Sequence, residues 1–243
     1  MLRLSRPRRD QAMPTTIDPA VKRAFGRQLR AWYRRNARDL PWRRTRDAYE
    51  ILVSELMLQQ TQVSRVVTRY AEFLEEFPTL GHVARASSAR VMEAWEGLGY
   101  YARARNLHRL ARAVTDGGRA PERALPSHPD SLRRLPGIGA YTAGAVASFA
   151  YERRAALVDT NVARVLRRAF APRARLETTA GQRRIWSIAE ELLPRTGRAT
   201  WTHNQAVMEL GALVCTARIA HCGRCPVRSL CRSAPKPPEG RST

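Results

Sequence analysis

Apolar residues recur at three- and four-residue steps along most of the chain, a spacing that predicts helices rather than strands. In chain order, the predicted helical segments are 18–37, 47–77, 83–86, 88–95, 101–115, 129–135, 141–150, 161–169, 179–193 and 202–214. Clusters of glycine and proline separate these segments. The run ALV before Asp159 is the nearest approach to a strand, and it is too short. We therefore expect an all-α fold with short connections.

A carboxylate lies next to one apolar helical stripe, and packing alone does not explain it. Its apolar positions are Leu52, Leu56, Val63, Val66 and Tyr70. Gln59 lies on this stripe, and Glu55 lies beside it, one turn before Gln59. A carboxylate on the inward face of a helix is unfavourable unless it is paired or has a chemical role. Glu55 is therefore a candidate functional residue.

Residues 131–150, SLRRLPGIGAYTAGAVASFA, predict a short helix, a tight turn and a second helix. Pro136 ends the first helix, and we expect Gly137 and Gly139 to adopt backbone angles closed to other residues. The turn exposes backbone amides at the start of the second helix, which suits a phosphate. A lone PGxG is explained equally well by a plain helical corner. The full pattern LPGIGxxTAxxV resembles the helix–hairpin–helix element of DNA repair proteins, which binds the DNA backbone without reading its sequence.

The charge of the chain favours a polyanionic partner. There are 43 Lys and Arg residues against 21 Asp and Glu, which gives a formal net charge of +22. Nucleic acid is the commonest polyanion, and a solvated basic surface is the alternative explanation.

The sequence has no run of eighteen apolar residues, so we expect no membrane span. We also expect no signal peptide, and hence a cytoplasmic protein that is associated with the nucleoid if the source is bacterial. The ends are predicted to be a disordered basic arm over residues 1–17 and a disordered tail over 232–243.

The chain contains four cysteines with the spacing C-x6-C-x2-C-x5-C. They are Cys215, Cys222, Cys225 and Cys231. Disulfides are rare in a reducing compartment, and structural zinc sites usually have two close cysteine pairs. A [4Fe–4S] cluster takes four thiolates and suits longer loops, so the spacing favours a cluster over zinc. The spacing also resembles the cluster loop of the endonuclease III superfamily. Basic residues in this loop, Arg218, Arg224 and Arg228, predict a second phosphate-binding surface.

Asp159 precedes an amphipathic helix in AALVDTNVARVLRRAF, residues 155–170. Position alone favours a helix N-cap, which is a structural role. Asp159 also follows Tyr141 by eighteen residues, a layout that resembles the helix–hairpin–helix glycosylases, in which the matching Asp projects into the cleft between two domains. Capping and catalysis are compatible, because the helix dipole keeps such a carboxylate ionised. Asn161 lies at the family's Asn position.

Longer runs of the sequence resemble the adenine DNA glycosylases of the MutY type. These runs are LPWRRTRDAYEILVSELMLQQTQV, FPTL, WEGLGYYARARNLH, LPGIGAYTAGAVASFAY, VDTNVARVL and NQAVMELGALVC, together with the cysteine loop. They cover most of residues 27–231. Tyr141 occupies the position of the Schiff-base lysine of bifunctional members, so the resemblance implies a monofunctional enzyme.

The resemblance implies a role for each candidate residue. Glu55 would protonate a flipped-out adenine, and Asp159 would stay ionised and stabilise the sugar cation or bond to it transiently. Tyr141 and Asn161 would position Asp159 and the reacting centre. The residues expected to contact the extruded base or fill the gap that it leaves are Gln59, Gln60 and Tyr100.

The resemblance also implies a two-lobed helix–hairpin–helix glycosylase fold. A six-helix barrel would span 45–153, with the helix–hairpin–helix element at 129–150, and residues 18–44 would join 154–231 in an iron–sulfur cluster lobe. The expected partner is double-stranded DNA containing a mismatch, bound by a monomer.

The sequence departs from the family pattern at two places. It ends twelve residues after Cys231, so we expect the family's C-terminal domain that recognises 8-oxoguanine to be absent and discrimination of that base to weaken. Thr160 stands where many members have Gly. The alternative enzyme is a thymine or uracil mismatch glycosylase of the same superfamily. The alternative from another class is a non-catalytic helix–hairpin–helix binding module.

Overall fold

The computed structural model describes residues 16–116 and 125–235, and within them every regular element is helical. The α-helices are α1 (Pro19–Asn36), α2 (Ala48–Met57), α3 (Val63–Glu76), α4 (Leu80–Arg85), α5 (Ser88–Ala94), α6 (Ala102–Val114), α7 (Pro129–Leu132), α8 (Ala140–Phe149), α9 (Thr160–Phe170), α10 (Thr179–Leu192) and α11 (Gly197–Leu213). Short 3-10 turns cover Pro41–Arg43, Cys222–Arg224 and Arg228–Leu230. The prediction of an all-α fold is confirmed.

The helices pack in two groups around one connected apolar core. Helices α2 to α8 form one group of contacting helices. In the other group, α1 and α9 pack against α11, and α10 packs against α9. The contacts of α8 with both α2 and α11 join the two groups. The predicted lobe boundaries follow this grouping but remain a prediction. Most of the predicted arm 1–17 and tail 232–243 lies outside the described residues.

The predicted continuous helix 47–77 is wrong, because the chain turns between α2 and α3. Gln60, inside this turn, has a φ of 59°, which is left-handed. The last carbonyls of α2 therefore lack helical partners. Arg103 from α6 donates to two of them, the carbonyls of Leu56 and Met57. A buried arginine therefore fixes the end of α2. The spacing of apolar residues along the sequence does not predict this end.

Two other helices begin earlier in the structure than the sequence predicted. Helix α4 begins at Leu80, and α11 begins at Gly197, five residues before the predicted 202. The hydroxyl of Thr196 accepts a hydrogen bond from the amide of Ala199 and so caps α11. No helix within 16–116 and 125–235 has the length and apolarity that a membrane crossing requires.

Candidate active site

A cleft with a volume of about 800 Å³ opens between the two groups of helices. Six of the residues selected from the sequence line it: Glu55, Gln59, Gln60, Tyr141, Asp159 and Asn161. The remaining candidates lie elsewhere, in the turn before α6, the α7–α8 hairpin and the cysteine loop. The structure therefore brings both predicted carboxylates to one cleft from α2 and the start of α9.

Glu55 is only 3% exposed, and its carboxylate accepts a hydrogen bond from a neighbouring helix. The hydroxyl of Tyr141, on α8, donates a 2.6 Å hydrogen bond to its Oε2. Burial raises the pKa of Glu55 to about 7, the charge of Asp159 adds to this rise, and the Tyr141 hydrogen bond opposes it. Burial also raises the pKa of Tyr141 well above 10, so its hydroxyl keeps its proton and remains a donor. Glu55 can thus hold or release a proton near neutral pH.

Asp159 caps α9 and faces the cleft at the same time. Its Oδ1 accepts from the amide of Val162 at 2.6 Å, and its Oδ2 accepts from Nδ2 of Asn161 at 3.1 Å. Burial raises the pKa of Asp159 above its ordinary value, contrary to the helix-dipole expectation, while these hydrogen bonds lower it. Asp159 is less buried than Glu55, and its hydrogen bonds favour its ionised form.

Arg164 fixes the orientation of Asn161. Its Nη2 donates to Oδ1 of Asn161 at 2.6 Å and to the carbonyl of Gly211 at 2.8 Å. Its Nε donates to the carbonyl of Cys215 at 2.8 Å. The amide nitrogen of Asn161 is therefore directed at Asp159, and the same arginine contacts the start of the cysteine loop.

Close packing places Asp159 opposite Tyr141. At Gly144 on α8, a Cβ would lie 2.1 Å from the carbonyl oxygen of Ala156, so only glycine allows this approach. Nδ2 of Asn204 holds the same segment through the carbonyl of Ala155 at 2.9 Å. The chain that leads to Asp159 is thereby fixed along α8. The close neighbour of Gly144 is thus the segment that precedes Asp159.

The predicted DNA-contacting side chains differ in setting. Nε2 of Gln59 donates to the hydroxyl of Thr142 on α8 at 3.3 Å, within the cleft. Gln60 is exposed, and Tyr100 is 59% exposed with a φ of 48°, so both protrude from left-handed backbone. Arg103 lies between their two turns.

Of the two glycines in the α7–α8 hairpin, one adopts a backbone conformation that other residues rarely adopt. Gly137 has a φ of 75°, and a Cβ there would lie 2.5 Å from Asn106. Gly139 has a φ of −87°, which any residue adopts, so that part of the prediction is wrong. A Cβ at Gly139 would meet no atom within 4 Å. The start of α8 is therefore open to a ligand that approaches the backbone.

A buried ion-pair network in the cleft wall was missed by the sequence analysis. The carboxylate of Glu209 on α11 is fully buried and lies 2.8 Å from Nη2 of both Arg38 and Arg43. Burial raises the pKa of Glu209, but hydrogen bonds from both arginines outweigh this effect and lower it to about 2. The signal that selected Glu55, a carboxylate in an apolar helical segment, would also have found Glu209.

The cysteine loop gathers its four thiols beside α9. Burial raises the pKa of Cys225 to about 11, and the nearby Cys215, Cys231 and Cys222 act in the same direction. Nη1 of Arg168 lies 3.3 Å from Sγ of Cys215. Within the described part of the chain, no three His, Cys, Asp or Glu residues are grouped to hold a metal ion. Arg218 and Arg224 are exposed in this loop.

The comparisons with known proteins agree with this geometry. Residues 53–191, which include the α7–α8 hairpin, Glu55 and Asp159, match the model of the HhH-GPD superfamily base excision DNA repair proteins. The chain belongs to this superfamily. The HhH-GPD match covers more than half of the chain and includes both carboxylates of the cleft.

Curated HhH-GPD relatives of this chain carry the name adenine DNA glycosylase, which confirms the resemblance seen in the sequence. The chain is 46% identical to the Mycolicibacterium smegmatis protein over 84% of its own length and 68% of the relative's. It is 44% identical to the Homo sapiens protein over 89% of the chain and 40% of the relative. It is 40% identical to the Rattus norvegicus protein over 98% of the chain and 48% of the relative. The chain thus spans about half the length of the mammalian relatives it matches.

Solved structures confirm the HhH-GPD fold. A thermostable thymine-DNA glycosylase superposes with a TM-score of 0.78 at 28% identity, covering 88% of this chain and 97% of the other. A trapped endonuclease III–DNA covalent intermediate superposes with a TM-score of 0.73 at 22% identity, covering 90% of this chain and 98% of the other. Because its identity is only 22%, this second structure supports the fold alone.

Proposed function

We propose that the chain is a monofunctional DNA glycosylase that removes adenine mispaired with 8-oxoguanine or guanine. The observation that carries this proposal is the paired setting of Glu55 and Asp159 in one cleft. Burial raises the pKa of Glu55 to about 7, while Asp159 accepts hydrogen bonds from Val162 and Asn161 that favour its charge. Two carboxyls held in different protonation states suit cleavage of a glycosidic bond. The identities of 40–46% to adenine DNA glycosylases support adenine as the base.

In the first step, protonated Glu55 transfers its proton to a ring nitrogen of the extruded adenine. The protonated base is a better leaving group, and the bond from the sugar to the base breaks as the base takes the bonding electrons. The Tyr141 hydroxyl, 2.6 Å from Oε2, stabilises the carboxylate that Glu55 becomes. Tyr141 and Asn161 serve as positioning residues for the two carboxyls.

In the second step, Asp159 stabilises the cationic sugar or bonds to it transiently. Water then adds to the sugar carbon, and its proton returns to Glu55, which restores the starting state. Tyr141 carries no amine, so the chain has no Schiff-base nucleophile at the position that lyase members use. Hydrolysis without strand cleavage follows.

The proposed partner is mismatched double-stranded DNA, and the proposed active form is a monomer. The open helix start at Gly139 and the exposed Arg218 and Arg224 would bind phosphates, in keeping with a net charge of +22. Gln59 would contact the extruded base, and Gln60 and Tyr100 would enter the stack. The site of action would be the compartment that holds the DNA, which in a bacterium is the cytoplasm with its nucleoid.

We further propose that the cysteine loop holds a [4Fe–4S] cluster. Each thiolate of such a cluster binds a different iron, so the four sulfurs need not converge on one point, as they must around zinc. Support for the cluster comes from the spacing C-x6-C-x2-C-x5-C and from the mutual electrostatic influence of the four thiols. Arg168, at 3.3 Å from Cys215, would offset the negative charge of the thiolates. When bound, the cluster would fix the loop in place rather than take part in base removal.

A panel of duplexes tests the proposed activity. Each carries one of A opposite 8-oxoguanine, A opposite G, T opposite G, or U opposite G, and alkali cleaves any abasic site formed. We expect strand breaks at adenine. Breaks at T or U alone would support the thymine or uracil alternative, toward which the structural likeness to a thymine-DNA glycosylase points. Tight binding without breaks would support the non-catalytic module.

A further inference from the structure

Arg103, near the start of α6, is a buried arginine between two surface turns. It is 7% exposed. One turn joins α2 to α3 and carries Gln60, and the other joins α5 to α6 and carries Tyr100. The hydrogen-bond partners of the Arg103 guanidinium are the carbonyls of Leu56, Met57, Gln59, Leu98, Gly99 and Tyr100 and the hydroxyl of Thr61.

The two terminal nitrogens of Arg103 together reach both turns. Nη1 serves the end of α2, where it donates to Leu56 and Met57 at 2.8 Å each. Nη2 donates to the carbonyls of Leu98 at 3.0 Å and Gly99 at 2.9 Å in the other turn. It also donates to the hydroxyl of Thr61 at 3.1 Å in the first turn. The rigid fork of a guanidinium can bind both sets at once, whereas the point charge of a lysine cannot. Arg103 therefore links the two turns directly.

Both turns need such support because each contains a residue other than glycine in the left-handed backbone region. Gln60 has a φ of 59° and Tyr100 a φ of 48°. Residues other than glycine persist in this region only where the surroundings hold them. The guanidinium carbon of Arg103 also lies 5.4 Å from the centre of the Tyr100 ring, so the arginine contacts that side chain as well as its backbone.

We propose that Arg103 is a positioning residue for base extrusion, which holds Gln60 and Tyr100 as one rigid pair that enters the base stack together. This inference rests on the proposed glycosylase function. Unstacking a base is unfavourable, and side chains already placed to fill the gap lower that barrier. Arg103 itself lies beneath both turns and is not among the residues that line the cleft.

A double-mutant cycle tests this role. Single-turnover excision of adenine opposite guanine is measured for Arg103→Lys in the wild-type chain and in a chain that carries Gln60→Ala and Tyr100→Ala. Because Arg103 acts through these two side chains, we expect about a 100-fold loss in the wild-type background. In the double-alanine background the same substitution should slow excision by less than about 3-fold.

Fluorescence gives a second readout that does not depend on excision. A 2-aminopurine next to the target adenine brightens when that adenine leaves the stack. We expect Arg103→Lys to slow this rise while the affinity for DNA stays within about 3-fold, since the charge is kept. Arg105→Lys is the matched control, because Arg105 is exposed on the same helix and its side chain contacts Met92.

Thr61→Val keeps the test valid if Arg103→Lys does not fold. The Thr61 hydroxyl accepts from Nη2 of Arg103 at 3.1 Å and donates to the carbonyl of Leu98 at 3.2 Å, so it joins the same two turns. We expect about a 5-fold slower excision from its loss, again only when Gln60 and Tyr100 are present.

The outcomes separate this inference from the proposed function. Equal losses in both backgrounds, or an unchanged fluorescence rise, would show that Arg103 only stabilises the fold. If the wild-type chain removes thymine and not adenine, the proposed function fails, and the cycle is run on thymine. If it removes no base, the fluorescence rise in wild type against Arg103→Lys decides the question.

Discussion

The hydroxyl of Tyr141 donates a 2.6 Å hydrogen bond to Oε2 of Glu55, across the boundary between α8 and α2. The two residues are 86 positions apart in the sequence. This contact favours the ionised form of Glu55, while burial favours the protonated form. The balance of the two sets the pH range in which Glu55 can act as an acid.

Tyr141→Phe should move the pH dependence of excision upward. Without the hydroxyl, the ionised form of Glu55 loses a donor, so the pKa of Glu55 rises above about 7. Since the acid must be protonated to act, the rate falls as pH rises through this pKa. Single-turnover rates between pH 5.5 and 9 should show the fall about one pH unit later than in wild type. An unchanged profile would mean that another group titrates.

Glu55→Gln should bind mismatched DNA but excise adenine about 1000-fold more slowly, the usual size of a general-acid contribution. Glu50→Gln is the control, because Glu50 lies on the same helix and is not among the residues that line the cleft. Gel-shift and single-turnover assays measure the two effects. Wild-type rates in Glu55→Gln would remove this residue from the mechanism.

The same variant should be more stable than wild type above neutral pH. The pKa of Glu55 is raised from 4.5 to about 7 on folding, so the folded state holds a proton that the unfolded state releases between these values. Stability is therefore fully kept below pH 4.5 and is lost as pH rises to 7, by about 1.4 kcal/mol per pH unit. Denaturant unfolding of both proteins at pH 4.5 and pH 8 measures the difference.

Asp159→Asn should separate capping from catalysis. Asn is as good an N-cap as Asp, so the free energy of unfolding should change by less than about 1 kcal/mol. Excision should nevertheless be lost, because a neutral amide cannot stabilise a cationic sugar. Asp47→Asn is a matched control, since Asp47 caps α2 through the amides of Tyr49 and Glu50 and is exposed. Equal rates in both variants would leave Asp159 only its structural role.

Glu209→Gln should destabilise the fold near neutral pH by about 3 kcal/mol, because it leaves Arg43 buried without its counterion. Arg38 adds less to this loss, since it is partly exposed. The pKa of Glu209 is lowered from 4.5 to about 2, so its stabilisation is present above pH 4.5 and disappears as pH falls to 2. Unfolding at pH 7 and pH 2.5 should show the variant's deficit shrink. A constant deficit would contradict the ion-pair account.

Cys225→Ala should remove the proposed cluster. We expect wild type to be yellow-brown with about four irons per chain and the variant to be colourless, with weaker DNA binding because the loop of Arg218 and Arg224 is no longer fixed. Elemental analysis and the visible spectrum measure this directly. A colourless wild type loaded with zinc would contradict the cluster.

The sequence by itself determined the kind of fold and most of the candidate residues. Helical period depends on local spacing, so it predicted an all-α chain, and the carboxylate of Glu55 stood out because it lies beside an apolar stripe. Asp159 could be recognised as a helix cap for the same local reason, and the sequence motifs around both carboxylates resembled one family. The spacing of the four cysteines is likewise a property of the linear chain.

Tertiary structure decided what these residues can do. The raised pKa of Glu55 depends on burial and on Tyr141, and the end of α2 depends on Arg103, 46 and 47 residues beyond the carbonyls that it binds. The paired arginines of Glu209 come from a segment more than 160 residues away. Periodicity reports which face of a helix is buried but not which distant side chain meets it. Protonation states and strained turns are set by those long-range contacts, because desolvation and hydrogen bonding act through space.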